Sequence, residues 1–279
     1  PNLLDRVKLE DYLMVTLQVR PCSIITCPAE FPDSNELGKK IDDTTHEDLI
    51  TLRQTTDLEI KRRLIMKLRE KLKKAYKDVV CASPSHKAHM RWAKDLSLKT
   101  REVEIRPTIH EFYLFKDKDA EKKLNKLIKL KENIRKDALR SPPPSITEAY
   151  LLYPEDYSGD YVASMGELLG YPKCCVKEYI ENRLSKKVNV EERASSQIKE
   201  AKNRGDEPIF FAYFVKNFFP CEPSCKSAIQ IGRQAHETFN RVDQQLGKLY
   251  LECLKNNLET VENYPEIIKK HKEKLKAAL

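Results

Sequence analysis

The spacing of apolar residues predicts helices along most of the chain and a few strands in its first half. Between residues 57 and 76, apolar positions recur every three or four residues while Lys and Arg fill the other face, which predicts an amphipathic helix. Its inward positions are predicted to be Leu58, Ile60, Leu64, Ile65, Leu68, Leu72 and Tyr76. Further helices are predicted at 86–98 and, with a second basic face, at 118–138.

Strands are predicted where apolar and β-branched residues cluster over short lengths. The run YLMVTLQV at 12–19 predicts one strand, and DVVCASPS at 78–85 predicts a short strand that leads into a turn. Residues 102–115 alternate as a strand does and are interrupted at Pro107. Strands that alternate with helices predict an α/β layer in this half of the chain.

The second half has a different pattern, because nearly everything beyond about Tyr157 has helical spacing. The longest helix is predicted to begin at Pro223 and to run to about Asn257, with one apolar stripe. The fold class is therefore α+β, with a few strands in the N-terminal layer and a mainly helical C-terminal part.

A proline-rich segment divides the two halves. RSPPPS at 140–145 contains three consecutive prolines, which favour an extended, stiff linker. We therefore predict an α/β domain at 1–140 and a helical domain with the cysteine motifs at 146–279.

Composition places the protein outside the membrane and secretory classes. The chain has 279 residues, 34% of them charged, and no apolar run reaches the roughly 18 residues that a transmembrane helix needs. Its first residues lack the pattern of a signal peptide, so we expect a cytoplasmic protein. Only 7 glycines, with abundant Lys and Glu, are typical of heat-adapted proteins. A formal charge of +8 is smaller than a dedicated nucleic-acid binder usually carries.

Two cysteine pairs carry the clearest chemical signal. GYPKCC at 170–175 and FFPCEPSC at 218–225 each place proline just before or between cysteines, and proline favours the first position of a helix. Cys174, Cys175 and Cys225 are then predicted in the first turns of two helices, with Cys221 just outside. Helix N-termini favour thiolates, and clustered thiolates bind soft metals or iron–sulfur clusters.

The kind of metal centre follows less directly from the sequence. Adjacent helical residues point about 100° apart, so Cys174 and Cys175 are expected to share a single ion only if the backbone is distorted. This favours an iron–sulfur cluster over zinc. The predicted ligands are Cys174, Cys221 and Cys225, with Cys175 as the fourth ligand or a neighbouring thiol. A redox or structural disulfide, and simple packing of buried cysteines, are the alternatives.

The two motifs resemble those of an uncharacterised, mostly archaeal family, catalogued as domain of unknown function 483. The resemblance covers roughly residues 145–260, and it implies no settled activity. The residues at its motif positions are Gly170, Pro172, Cys174, Cys175, Pro220, Cys221 and Cys225.

Four other cysteines are assigned mainly to packing. Cys22 and Cys27 form C-x4-C, which is not diagnostic, so we favour a role at a strand edge over extra ligands or a disulfide. Cys81 and Cys253 are predicted to lie in the core.

The histidines give weaker signals. His86 and His89 share a helix face and can bind metal, but no carboxylate pattern lies nearby, so a surface or helix-start role is favoured. His110 can line a pocket or lie on a solvated strand face. His236 is predicted to be a hydrogen-bonded core histidine, about 16 Å from Cys225 along the helix axis.

The predicted function is that of a metal-thiolate protein, an iron–sulfur or zinc enzyme that acts on an unidentified small molecule or RNA. The sequence assigns no catalytic residue and contains no Walker A, GxGxxG, HExxH or GxSxG motif. The alternative is a non-catalytic RNA- or protein-binding module whose cysteines are structural. Whether the protein is an enzyme is left open by the sequence.

Overall fold

The fold was obtained as a computed structural model, and the structure describes residues 2–140, 153–186 and 188–278. It confirms the predicted α+β class, because most described residues are helical and one three-stranded sheet is present among them. Most of the proline-rich linker, residues 141–145, lies outside the described residues. No helix among the described residues has the length and hydrophobicity needed to cross a membrane.

The chain contacts divide into two compact units. The first contains the residues up to Thr16 and Cys22–Lys116, and the second contains Leu17–Pro21 and the residues from Asp117 onward. The basic helix after the sheet therefore groups with the second unit. Because the linker is not described, the boundary predicted there stays a prediction.

The first unit is a small antiparallel sheet with helices around a single core. The strand order is β1-β3-β2, and β2 and β3 form a hairpin across Pro107 and Thr108. Its elements in chain order are α1 (Asp5–Val7), π1 (Lys8–Leu13), α2 (Met14–Thr16), β1 (Cys22–Cys27), α3 (Ser34–Gln54), α4 (Leu58–Ala75), π2 (Tyr76–Cys81), α5 (Pro84–Asp95), β2 (Lys99–Arg106) and β3 (Ile109–Phe115).

The strand predicted at 12–19 is wrong, because the chain is helical from Asp5 to Thr16. Tyr12, Met14 and Val15 are all buried. The apolar run from Tyr12 to Val15 therefore contains no polar residue whose spacing would indicate a helix. A helix buried on every side gives a short continuous apolar run, and such a run cannot be told from a buried strand by periodicity.

The strand predicted at 78–85 is also wrong. Helix α4 continues directly into the π-helical turn π2, and α5 begins at Pro84. Ser83 caps α5 by accepting a hydrogen bond from the backbone N–H of His86 at 3.1 Å. The Ser-Pro pair therefore marks a helix start rather than a strand end.

The predicted helix at 57–76 is confirmed, but its buried face is shorter than predicted. Leu68 and Tyr76 are buried in the first unit, whereas Leu58 is 76% exposed. Ile60 and Ile65 are also exposed. Only the C-terminal half of α4 packs against the core, so the apolar residues of its N-terminal half lie on the surface.

All the regular elements that the structure describes in the second unit are helices or helical turns. Its elements in chain order are α6 (Lys118–Arg140), a 3₁₀ turn (Pro154–Tyr157), α7 (Gly159–Leu168), α8 (Lys173–Ile180), π3 (Glu181–Lys186), α9 (Val190–Asn203), a second 3₁₀ turn (Phe210–Ala212), α10 (Lys226–Val242), α11 (Gln244–Glu262) and α12 (Tyr264–Ala278). The single long helix predicted from Pro223 is two helices, because Asp243 is extended (φ −161°, ψ 128°) and caps α11.

Aromatic residues at 210–219 form the centre of this unit. Phe214 and Phe218 pack with ring centroids 4.5 Å apart. Helix α11 fixes the backbone of the run, since Tyr250 Oη donates to the Phe214 carbonyl at 2.8 Å and Asn257 Nδ2 donates to the Tyr213 carbonyl at 3.1 Å. The segment that follows, with Cys221 and Cys225, therefore begins where hydrogen bonds from α11 hold the backbone in place.

Candidate metal centre

A turn at Gly170 precedes the first cysteine pair and sets the direction of the chain there. Gly170 has φ +73° and ends α7 with two hydrogen bonds, from its own N–H to the Glu167 carbonyl and from Tyr171 N–H to the Gly166 carbonyl. A side chain at Gly170 would meet Cδ of Pro21 at 2.8 Å. Arg20 fixes the same turn, because its Nε donates to the Leu169 carbonyl at 3.2 Å.

Cys174 and Cys175 lie in the first turn of α8, as the sequence predicted. Pro172 is the N-cap and the helix begins at Lys173, one residue later than predicted. The Sγ atoms of the two cysteines are 3.9 Å apart, and α8 is an ordinary helix at this point. The expectation that both thiols can reach one ion only with a distorted backbone is therefore wrong.

The second cysteine pair is held by a turn. The Cys225 N–H donates to the Glu222 carbonyl at 3.1 Å, which closes a turn with Pro223 at its second position. Helix α10 begins only at Lys226, and Cys225 is its N-cap. Pro223 thus shapes the turn and does not open the helix. The turn brings Cys221 and Cys225 to the same side as the start of α8.

The four cysteines form one compact group. The Sγ atom of Cys225 lies 3.7 Å from that of Cys174 and 3.6 Å from that of Cys175, and Cys175 lies 3.8 Å from Cys221. All four sulfur atoms are within 4.8 Å of one another, a spacing that can hold a metal. The shortest separation is far longer than the roughly 2.05 Å of a disulfide bond, and all eight cysteines are free thiols.

Electrostatics in the group favour a cation. Burial raises the pKa of Cys175 far above its usual value, and burial with the neighbouring Cys225 raises the pKa of Cys221 to about 12. Burial would also raise the pKa of Cys174, but hydrogen bonds with Cys225 and Cys175 outweigh it and lower this pKa. Cys175 and Cys221 therefore resist ionising, and a bound metal ion would remove that resistance.

Two residues of α9 support the group and were missed in the sequence. Arg193 donates from Nη1 to the Cys221 carbonyl at 2.8 Å and from Nη2 to the Pro220 carbonyl at 3.0 Å. Gln197 Nε2 donates to the same Cys221 carbonyl at 3.3 Å. They lie on a highly charged helix without any motif, and only the fold places them beside the cysteines.

The remaining predicted cysteines lie outside this group. Cys22 and Cys27 are both buried at the two ends of β1, an edge strand. Five steps along the strand, each of about 3.3 Å, separate them by roughly 16 Å, so they cannot share one ion or one disulfide. Cys81 and Cys253 are half-buried.

The histidines are distributed differently from the prediction. His86 and His89 are both buried, which corrects the predicted surface role. His89 Nδ1 is 2.9 Å from Tyr12 Oη. His110 Nδ1 is 2.8 Å from Glu102 Oε1 at a partly buried position, and His236 Nε2 is 3.1 Å from Asn240 Nδ2.

Comparison with known proteins shows which family the chain belongs to. Residues 102–250, more than half of the chain, match the family described as "Protein of unknown function (DUF483)", and the chain is a member of that family. The matched region contains all four clustered cysteines. This result confirms the resemblance inferred from the two motifs.

One curated relative is from the archaeon Methanocaldococcus jannaschii and is called "Uncharacterized protein MJ1106". It is 30% identical over 82 residues, which is 28% of this chain and 43% of the relative. The chain therefore matches less than half the length of this relative. No solved structure matches the chain.

Proposed function

We propose that Cys174, Cys175, Cys221 and Cys225 bind one zinc ion as a tetrahedral four-thiolate site. The observation that carries the proposal is the sulfur spacing, 3.6 to 3.9 Å for four of the sulfur pairs. Zinc–sulfur bonds of about 2.3 Å in tetrahedral geometry put neighbouring sulfurs about 3.8 Å apart. The four measured separations are close to the edge length of such a tetrahedron, which supports the proposal of one ion.

An iron–sulfur cluster fits this spacing less well. In a cluster, several irons and sulfides lie between the protein thiolates, so thiolates on different irons are held apart by the width of the cluster. Here every pair of sulfurs is within 4.8 Å. The geometry therefore favours a single ion over the cluster that the adjacent cysteines led us to predict.

The role that follows is the joining of two chain segments that are distant in sequence. Four protein ligands fill the coordination of zinc, which is typical of structural sites. The ion would tie the start of α8 to the turn before α10. The backbone N–H of Cys221, which points at Cys175 Sγ at 3.5 Å, and the Arg193 guanidinium would help to offset the negative charge of four thiolates.

The test is metal and sulfide analysis of anaerobically purified full-length chain. We expect about one zinc at these four cysteines, no acid-labile sulfide and no visible colour. Cys221→Ser should lose this zinc, whereas Cys253→Ser, which changes a cysteine outside the group, should keep it. A brown protein that contains equal amounts of iron and acid-labile sulfide would show that the cysteines bind an iron–sulfur cluster and not zinc. If the Cys221→Ser variant contained as much metal as the unaltered chain, the proposal of a metal site at these four cysteines would be wrong.

A second candidate function, RNA binding, is favoured by the exposed cations of α4. Arg63, Lys67 and Lys74 are exposed, and the described residues give them no ion pair. Others on the helix are neutralised, as Lys71 is by Asp48 and Arg69 by Glu104. Unneutralised cations on one helix can bind phosphates and release counterions.

RNA binding is tested by titrating a labelled single-stranded RNA at several salt concentrations. We expect affinity that falls steeply with salt and weakens when Arg63, Lys67 and Lys74 are all changed to Gln. The matched control changes the exposed α6 residues Lys122, Lys126 and Lys129 to Gln, which removes equal charge. Equal losses in both triple variants would mean only general charge attraction.

A further inference from the structure

A second group of metal-binding side chains lies inside the first unit. The ligand atoms of Cys81, His86 and Glu102 all lie within 4.8 Å of one another. The three come from the end of π2, the first turn of α5 and strand β2. No pattern in the sequence indicates the carboxylate, because Glu102 is 16 residues from His86 and approaches it only in the folded chain.

His86 is the observation that points to a missing ligand. The residue is 9% exposed, and its Nε2 is buried without a hydrogen-bond partner among the described residues. This nitrogen lies 3.6 Å from Glu102 Oε2, too far for a hydrogen bond. A buried polar atom without a partner is costly, and a bound ion or water is one explanation for such an atom in a native protein.

Glu102 is held so that one of its oxygens remains available. Its Oε1 accepts a hydrogen bond from Tyr76 Oη at 2.6 Å and lies 2.8 Å from His110 Nδ1. Tyr76 and His110 are themselves stacked, with ring centroids 3.7 Å apart. Outer hydrogen bonds of this kind orient carboxylate ligands of metal ions. They leave Oε2 on the side of His86.

We propose that Cys81, His86 and Glu102 bind a second divalent metal ion, separate from the four-cysteine site. One thiolate, one imidazole and one carboxylate form a donor set that zinc accepts, and their two negative charges match a divalent ion. Three protein ligands leave one coordination position for water or a small ligand, as in catalytic rather than structural zinc sites. This proposal does not depend on the metal content of the four-cysteine group.

The experiment is an anaerobic titration of metal-free full-length chain with Co²⁺, followed by absorbance. Thiolate-to-cobalt charge-transfer absorption grows with the number of thiolates, so a four-thiolate site and a one-thiolate site have different spectra. We expect two equivalents to bind, one with strong and one with weak charge-transfer absorption. His86→Gln and Glu102→Gln should each lose the weakly absorbing equivalent and keep the other.

Three further variants make the result decisive. His46→Gln, an exposed histidine on α3, should keep both equivalents. Tyr76→Phe should keep two equivalents but weaken the second about 10- to 100-fold, since it removes only an orienting hydrogen bond. Cys221→Ser should lose only the strongly absorbing equivalent.

The outcomes separate the two sites. The unaltered chain could instead bind a single equivalent of Co²⁺. If this equivalent were lost in His86→Gln and retained in Cys221→Ser, the second site would be supported and the four-cysteine site would be wrong. Unchanged cobalt binding in both His86→Gln and Glu102→Gln would overturn the second site. In that case the pair would be an ordinary buried histidine beside a carboxylate.

Discussion

At the residue scale, a few positions decide whether the cysteines can meet. Gly170 adopts φ +73° and approaches Pro21 so closely that no side chain fits. Arg193 uses two nitrogens to hold consecutive carbonyls of the second motif. Neither residue is a ligand, yet each sets where ligands lie.

Substitution of Gly170 tests the close approach at this turn. Gly170→Ala should lower the free energy of unfolding by more than the about 1–2 kcal/mol that a left-handed conformation costs alanine, because the new Cβ would also meet Pro21. Gly205→Ala is the matched control, since Gly205 has φ +83° and open space around it. Denaturant unfolding measures both, and equal losses would contradict the role of the Pro21 contact.

Arg193 should affect metal affinity more than stability. Removing an outer hydrogen-bonding group typically weakens metal binding about 10- to 100-fold, so Arg193→Met should release metal to a chelator at a correspondingly lower chelator concentration. Arg204→Met at the C-cap of the same helix is the control, because Arg204 is exposed and pairs only with Asp206 among the described contacts. The same release from both variants would mean that Arg193 does not support the site.

At the element scale, most of the candidate metal-binding residues lie at the N-termini of helices. Helix α8 begins beside Cys174 and Cys175, Cys225 is the N-cap of α10, and α5 begins two residues before His86. Helix α5 also carries His89 into the core of the first unit, where it stacks on Phe31 at 4.7 Å. Burial, with the nearby His86, lowers the pKa of His89 to about 4.

This buried histidine makes the first unit sensitive to acid. Its folded-state pKa, about 4, is below the ordinary value of 6.5, so the unfolded chain binds more protons between these values. Stability is then fully present above pH 6.5 and is lost as pH falls toward 4, by about 2 kcal/mol between pH 7 and pH 5.

His89→Gln should flatten this dependence, and His46→Gln should not. Denaturant unfolding at pH 7 and pH 5 can be followed by the fluorescence of Trp92, the single tryptophan of the chain, which lies on α5. A pH dependence as steep in His89→Gln as in the unaltered chain would assign the acid sensitivity to other groups.

At the scale of the whole molecule, the two candidate metal sites belong to different compact units. The four-cysteine group lies in the second unit, whereas Cys81, His86 and Glu102 lie in the first. Because contacts are concentrated inside each unit, loss of one site should lower mainly the stability of the unit that contains it.

Cys221→Ser should therefore destabilise the second unit selectively. A ligand present at 1,000 times its Kd contributes about 4 kcal/mol to stability, and we expect a loss of this order from backbone amides of α8 and α10 in hydrogen exchange. The unfolding midpoint reported by Trp92 in the first unit should stay unchanged. A parallel shift of both probes would show that the two units unfold together.

The sequence by itself determined the α+β class, the helices predicted at 57–76, 86–98 and 118–138, strand structure interrupted at Pro107, and the two cysteine motifs. These features depend on local signals, namely helical periodicity, alternation and proline at helix starts and turns. The family resemblance came from the same local residues. Helix ends were off by one residue at Pro172 and by three at Pro223, because proline serves equally as an N-cap, a first helical residue or a turn residue.

Only the tertiary structure decided which helices are buried and which side chains meet. Residues 12–16 are helical although their pattern favours a strand, and the burial of Tyr12, Met14 and Val15 explains their apolar character. Cys174 and Cys225 are 51 residues apart, and His86 and Glu102 lie on different elements. Their proximity results from packing between distant segments, and no local pattern encodes such contacts.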